Sequence, residues 1–312
     1  VKAYLYDKKA KPSPLVLSEV DAPRPAGGQV LVEIRAASVN AAEWRSMQLG
    51  IVPKSRIYGA DISGAVAEVG LGVKTLKVGD EVVGDLSGSG SGAFAEYAAV
   101  PESALTRKPA SLSHETCAAF PMAAVTALQA LRDAGGVGPG MRVLVNGASG
   151  GVGSFAVQLA KHWGAEVVGV CGPGNAERVK ARGADAVIDY RSEGLDSRGG
   201  AYDRILAVHG DQPLSRYKRL LAPGGRCVIV GGSLSQVFRG IFFGPLLSLG
   251  SRKLKTLTAR PSPADLSFVL GLAAEGKIAA DIEKVWDFTE LPAALDYVRS
   301  GHARGKQVIR IR

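Results

Sequence analysis

The strongest chemical signal in the chain is VLVNGASGGVGSFAVQLA at 143–160. It reads as a buried strand, a glycine-rich turn and an apolar helix, the order that gives a glycine pattern meaning. The form is Ala148-x-Gly150-x-x-Gly153, with Ala where a first Gly is usual. Gly150 lets the backbone approach a pyrophosphate. The amides around Ser149, Gly151 and Val152 stand where the helix begins, and that end favours negative charge. Gly153 permits close helix–strand packing. The turn predicts a bound dinucleotide.

The residues further on bear on which dinucleotide. An acid at the tip of the second strand would bond both ribose hydroxyls of NAD. Here that strand ends VVGVCGPGN, with Cys171 and Gly172 at its tip and no acid to repel a 2′-phosphate. Asn175, Arg178, Tyr190 and Arg191 are close by in sequence. A guanidinium or a phenol hydroxyl bonds phosphate, and a ring covers adenine. NADPH is expected in preference to NADH; the competing reading of Arg178 and Arg191 is a solvated surface arginine.

The nicotinamide is expected past the C-terminal ends of the strands. The candidates there are His209 and Gly210 after the fourth strand, and Gly231, Gly232 and Ser233 after the fifth. His209 is a donor to a carbonyl or a ribose hydroxyl, or else an ordinary loop histidine. His114, His162 and His302 have no spacing for a metal or a catalytic pair. Cys117, Cys171 and Cys227 are widely separated, neither a disulfide framework nor a zinc cluster.

Two kinds of element must position these groups. Alternation predicts strands at 1–7, 28–40, 62–70, 80–86 and 92–101, separated by Gly- and Asp-rich turns. This implies a closed or nearly closed β-barrel. A helix follows at 115–134, with Pro121 breaking or kinking it after its first turn. From Met141 strands and helices alternate: strands at 141–147, 165–171, 184–190, 205–208 and 227–232, helices at 152–164, 176–183 and 212–221. That is a doubly wound parallel sheet. A last strand near 253–259 and helices at 265–276 and 290–301 come next, and the chain ends in the basic strand GKQVIRIR. This terminal strand needs a partner in the first domain, so the nucleotide domain is inserted into it. The expected division is 1–118 and 260–312 for the split domain and 119–259 for the dinucleotide domain.

Composition sets the bounds. With 312 residues, 46 % apolar, the chain can bury a sizeable core and form two domains. Its net charge of +9 is spread without a basic tail or patch, which argues against nucleic acid and for an anionic ligand. There is no signal-peptide pattern and no apolar run of membrane-spanning length; IFFGPLLSLG at 241–250 is short and broken by Pro245. A soluble cytoplasmic protein is expected.

Several stretches resemble the medium-chain dehydrogenase/reductase superfamily, in its zinc-independent quinone oxidoreductase-like branch. They are RAASVNAAEWRSMQLG at 35–50, YGADISGAVAEVG at 58–70, GVKTLKVGDEVVGDL at 72–86, the NGASGGVG turn, GADAVIDYR at 183–191 and GHARGKQVIRI at 301–311. The resemblance covers essentially the whole chain. It implies a groES-like barrel split around an inserted Rossmann domain. Zinc-dependent relatives have a Cys where Asn40 stands and His-Glu where Ala60-Asp61 stand, so zinc is not expected. Quinone reductase relatives have Asn and, three residues on, Asp facing the nicotinamide. Here Asn40 matches and Glu43 replaces the Asp. The resemblance makes Asn40 a residue that orients the substrate carbonyl or the nicotinamide ribose, and Glu43 one that holds Asn40 or backbone donors; Tyr58, which stands where many relatives have a small or apolar residue, is expected to border the cleft. It also puts Lys306 among the cofactor-binding residues. The apolar stretch 233–253 approaches the nicotinamide in that branch and takes part in subunit contact. Phe242, Phe243 and Leu246 therefore line either the substrate slot or a homodimer interface.

The expected chemistry is hydride transfer from NADPH to a quinone. The alternatives are reduction of an α,β-unsaturated carbonyl (an enone, an enal or an enoyl thioester) and, from another class, a non-catalytic NADPH-binding sensor or structural protein.

Overall fold

The computed structural model describes residues 1–209, 212–232, 234–248 and 250–312, without the side chains at 133, 134, 234, 237, 245 and 246. Gly210, Ser233 and the Leu246 side chain, named above, lie outside the described residues. The chain forms two units, Val1–Val125 with Arg260–Arg312, and Thr126–Ala259.

The first unit opens with a hairpin of β1 (Lys2–Tyr6) and β2 (Leu15–Glu19). Next come β3 (Gln29–Val39), α1 (Ala41–Gln48), β4 (Asp61–Val69), β5 (Glu81–Asp85), β6 (Tyr97–Pro101) and β7 (Leu105–Arg107). β3 is its spine, apolar throughout its buried face and paired to both β4 and β6. The helix expected at 115–134 is divided: α2 (His114–Ala118) is capped by the Ser113 hydroxyl, and α3 begins afresh at Pro121 and runs to Gln129. Proline is at home in a first helical turn, where its missing N–H breaks no bond.

In the second unit β8 (Arg142–Asn146), α4 (Gly151–His162), β9 (Glu166–Cys171), α5 (Ala176–Ala181), β10 (Ala186–Asp189), β11 (Tyr202–Ala207), α6 (Leu214–Leu220), β12 (Leu221–Ile229), α7 (Leu234–Leu247) and β13 (Lys253–Thr256) follow in turn. Their sheet is wholly parallel, in the order β10-β9-β8-β11-β12-β13. Strand succession runs outward in opposite directions from β8 and β11. The ends of those two strands therefore flank the switch point, where such sheets bind ligands. The core between sheet and helices is aliphatic, with Tyr202 and Tyr217 fully buried in it.

The chain then returns to the first unit with α8 (Pro263–Ala274), β14 (Ile282–Asp287), α9 (Leu291–Arg299) and β15 (Lys306–Arg310). β15 lies between β14 and β3, which gives the terminal strand the partner it needs. The sheet runs β14-β15-β3-β4-β5-β7, with β6 paired to β3. Its path ends at β14 and β7, so no ladder closes the barrel among the described residues. The fold is α/β: a GroES-like mixed sheet in one unit and a Rossmann-like parallel sheet in the other. The helix assumed by the apolar stretch around Phe242, and strands β2, β7 and β14, have no counterpart in the sequence reading. Short edge strands carry too few alternations to stand out from loops.

Candidate functional site

In the first unit, strand ends that are remote in sequence converge on one buried polar cluster. Asn40 follows the last residue of β3 and caps α1. Asp61 opens β4, in register with Ser38 of β3 and Asp85 of β5. Lys306 opens β15. Lys306 Nζ donates to Asn40 Oδ1 at 2.5 Å and lies 3.4 Å from Asp61 Oδ2. Asn40 Nδ2 donates to Asp61 Oδ2 at 2.9 Å, and Ser38 Oγ donates to the same oxygen at 2.7 Å. The other Asp61 oxygen accepts from the Met122 amide at 2.9 Å. Lys306 is only 3 % exposed and Asp61 is fully buried. A buried pair of this kind needs further hydrogen bonds, and Asp61 accepts three besides the contact with the ammonium.

Glu43 lies beneath Asn40. Its Oε2 accepts from the Asn40 backbone amide at 2.7 Å, while its buried Oε1 has no partner among the described residues. Burial, and then the Asp61 charge, push the Glu43 carboxyl from its ordinary 4.5 to about 8. The same causes raise Asp85 to about 6. The buried ammonium therefore faces carboxyl groups of which Glu43 retains its proton at neutral pH.

Tyr58 lies outside this cluster. Tyr58 is 2 % exposed, its hydroxyl donates to Ile51 O at 2.8 Å and its ring meets Tyr6 edge-on. Its phenol is pushed up to about 12 by burial. Lys306, expected on the cofactor, has its ammonium engaged by Asn40 and Asp61 instead. His114, which the sequence gives no partner, sits between Ser63 Oγ at 2.8 Å and Glu81 at 3.1 Å. Ser63 is fully buried, so this is a structural tie and not a nucleophile. Asp61, the hub, is the residue sequence reasoning missed; its only signal was its place in the Gly-Ala-Asp triplet at 59–61.

In the second unit the site is made of backbone. Gly147 adopts φ +93°, and a side chain there would meet His209 Cβ at 2.7 Å. A Cβ at Gly153 would lie 2.0 Å from Gly147 O, so that close packing needs glycine. Gly150 differs: its Cβ would meet only Gly147 O, at an ordinary 3.6 Å. Nothing among the described residues requires glycine there, and the open space it leaves fits an approaching pyrophosphate. The first-turn amides of α4, which begins at Gly151 after the Gly150 N-cap, have no helical acceptor of their own. His209, whose amide donates to Asn146 O at 3.0 Å, stands at the end of β11 beside the turn. Gly231 packs on Val208 O and Gly232 has φ +107°, at the end of β12. Ala148 to Gly153, His209, Gly231 and Gly232 thus gather at the switch point.

At the tips of β9 and β10, Cys171 is buried and its thiol is pushed up to about 11 by burial and the Asp189 charge. The Tyr190 ring lies against Gly172 and is 58 % exposed, with the Arg191 guanidinium 6.0 Å from its centre. Among the described residues, one buried oxygen of Asn175 has no donor. Arg178 is half-buried on α5. The sequence shows no acid at the tip of β9, but the parallel register sets Asp189 opposite Cys171 from the next strand. Its carboxylate accepts from the Arg191 amide at 3.0 Å. Phe242 is on the exposed face of α7, with Phe238, Ile241 and Phe243.

Residues 26–110 match the alcohol dehydrogenase GroES-like domain, and 182–309 the family described as zinc-binding dehydrogenase. The chain is 33 % identical over 306 residues to the chloroplast envelope quinone oxidoreductase homolog of Arabidopsis thaliana, covering 93 % of this chain and 92 % of that one. Against the chloroplastic quinone-oxidoreductase homolog of Spinacia oleracea the identity is 34 %, with the same coverages. Among solved structures, the quinone oxidoreductase of Coxiella burnetii superposes with a TM-score of 0.90 at 27 % identity, covering 100 % and 99 % of the two chains. The Escherichia coli quinone oxidoreductase complexed with NADPH gives 0.88 at 25 %, covering both chains fully. The chain belongs to the medium-chain dehydrogenase/reductase superfamily and is related to its zinc-independent quinone oxidoreductase-type members. It is an NAD(P)H-dependent oxidoreductase of that branch.

A zinc ion does not fit, despite the name of one matching family. Among the described residues no three His, Cys, Asp or Glu side chains come together to hold a metal. Asn40 and Lys306 occupy the polar cluster with donors where ligands would be needed. Among the described residues no helix is long and apolar enough to cross a membrane.

Proposed function

We propose that the protein transfers hydride from NADPH to a quinone without a metal. The observation that carries this reading is the Asn40 amide, held between the Lys306 ammonium and the Asp61 carboxylate. When bound, the cofactor supplies hydride from its C4 carbon. Negative charge then develops on the acceptor oxygen, and a preorganised donor is what the protein must provide. Asn40 is that donor. A quinone suits the site because its reduced oxygens are weakly basic and need no strong protein acid. Glu43 holds the backbone of Asn40 and keeps its own charge out of the cluster by retaining a proton.

The preference for NADPH rests on Tyr190, Arg191 and Arg178, a ring and two guanidiniums suited to adenine and a 2′-phosphate. Asp189 opposes it, but the Arg191 amide bonds its carboxylate. Oxidation of NADPH and NADH against benzoquinone, phenanthrenequinone, a short enal and an enoyl thioester tests both points. Fastest turnover with a quinone and NADPH is expected. Tight NADPH binding with no turnover on any acceptor would contradict the reading.

A further inference from the structure

We propose that Lys306 and Asp61 are positioning residues that fix the Asn40 side-chain amide in one orientation, so that it meets the acceptor only as a hydrogen-bond donor. An asparagine amide is nearly symmetric in shape, and its two ends are told apart by their hydrogen-bond partners. Here the partners carry opposite charges. The carbonyl oxygen faces an ammonium at 2.5 Å, and the NH2 faces a carboxylate at 2.9 Å. Turning the amide over would set NH2 against ammonium and carbonyl against carboxylate, two repulsive contacts in place of two charge-assisted bonds. All three side chains are buried, which strengthens both the attraction and the repulsion.

The assignment of protons follows. Asp61 Oδ2 takes one N–H of Asn40, and its Oδ1 is occupied by the Met122 amide. The Asn40 carbonyl is used by Lys306. What remains is the second N–H, polarised by a cation at one end of the amide and an anion at the other. Asn40 therefore presents an acceptor oxygen with a donor. The span of 266 residues between Asn40 and Lys306 means that the last strand of the chain sets the chemistry of a residue in its first quarter.

This inference rests on the reading of Asn40 as the donor to the acceptor, and a double-mutant cycle separates the two. Turnover and NADPH affinity are measured for the intact chain, Asn40→Ala, Lys306→Met and the double variant. Asn40→Ala is expected to lower kcat by about 100-fold, the loss typical of a removed oxyanion donor. Lys306→Met is expected to lower kcat at least about tenfold with NADPH affinity unchanged, and to lower it no further in the Asn40→Ala background. Equal effects of Lys306→Met in both backgrounds would overturn the positioning role while leaving the donor role standing. An Asn40→Ala variant with unchanged kcat would overturn both. NMR of the side-chain amides in the unmutated protein serves if Lys306→Met does not fold. One Asn40 NH2 proton should be protected from exchange and the other should shift when a non-reducible quinone analogue binds with NADP+. Two equivalent, fast-exchanging protons would contradict the fixed orientation.

Discussion

The polar cluster of the first unit and the glycine turn of the second solve opposite problems. The cluster is made of side chains: an ammonium, carboxyl groups and an amide, each defined by what it donates or accepts. The turn is made of missing side chains, and its residues matter for the space they leave. Conservative changes of charge should therefore break the first and leave the second intact, while the addition of one carbon should do the reverse.

The largest effect is expected at Asp61. Asp61→Ala leaves the Lys306 ammonium buried without its counter-charge and should cost about 3–5 kcal/mol in urea unfolding. A loss below about 1 kcal/mol would show that the cluster is not held by this pair. Next is Gly153→Ala, whose new carbon would lie 2.0 Å from a backbone oxygen. It should cost about 1–3 kcal/mol and remove NADPH binding by displacing the turn, as isothermal titration would show.

A smaller, pH-dependent effect is expected at Glu43. The unfolded carboxyl ionises near its ordinary 4.5, and the folded one holds its proton to about 8. The folded state therefore binds more protons between these values, and stability falls as pH rises through that window. Glu43→Gln keeps an acceptor for the Asn40 amide and cannot ionise. Its Tm should exceed that of the unmutated protein by roughly 2 °C or more at the upper end of the window, with the gap closing towards the lower end. A gap independent of pH would place the stabilisation elsewhere. The smallest change in stability belongs to Gly150→Ala, within about 0.5 kcal/mol, since its Cβ meets only ordinary contact. The same variant should weaken NADPH about tenfold. Gly153 and Gly150 thus separate glycine kept for packing from glycine kept for a ligand.

The two regions were also unequally legible in the sequence. The glycine turn is local: Arg142 to His162 contains strand, turn and helix, so its context can be read in one window. Its acid neighbour was not legible, because Asp189 reaches the Cys171 tip only through strand pairing. The cluster is nonlocal throughout. Asn40 and Glu43 could be singled out from a family resemblance, but Lys306 reaches them only because β15 pairs with β3. Asp61 was visible as a departure from a zinc ligand pattern, and its role as the acceptor for Ser38, Asn40 and Met122 depends on register. Tyr58 shows the converse, a residue whose type suggested chemistry and whose hydroxyl is spent on Ile51 O.

The most direct test compares Asn40→Ala with Gly150→Ala, using NADPH titration by fluorescence and single-turnover oxidation by benzoquinone. Asn40→Ala should bind NADPH as the unmutated protein does and lose the hydride-transfer rate; Gly150→Ala should bind weakly and, once saturated, transfer at close to the normal rate. If Asn40→Ala instead weakens NADPH binding and saturation restores its rate, Asn40 serves the cofactor and not the acceptor, and the division of labour drawn here is wrong.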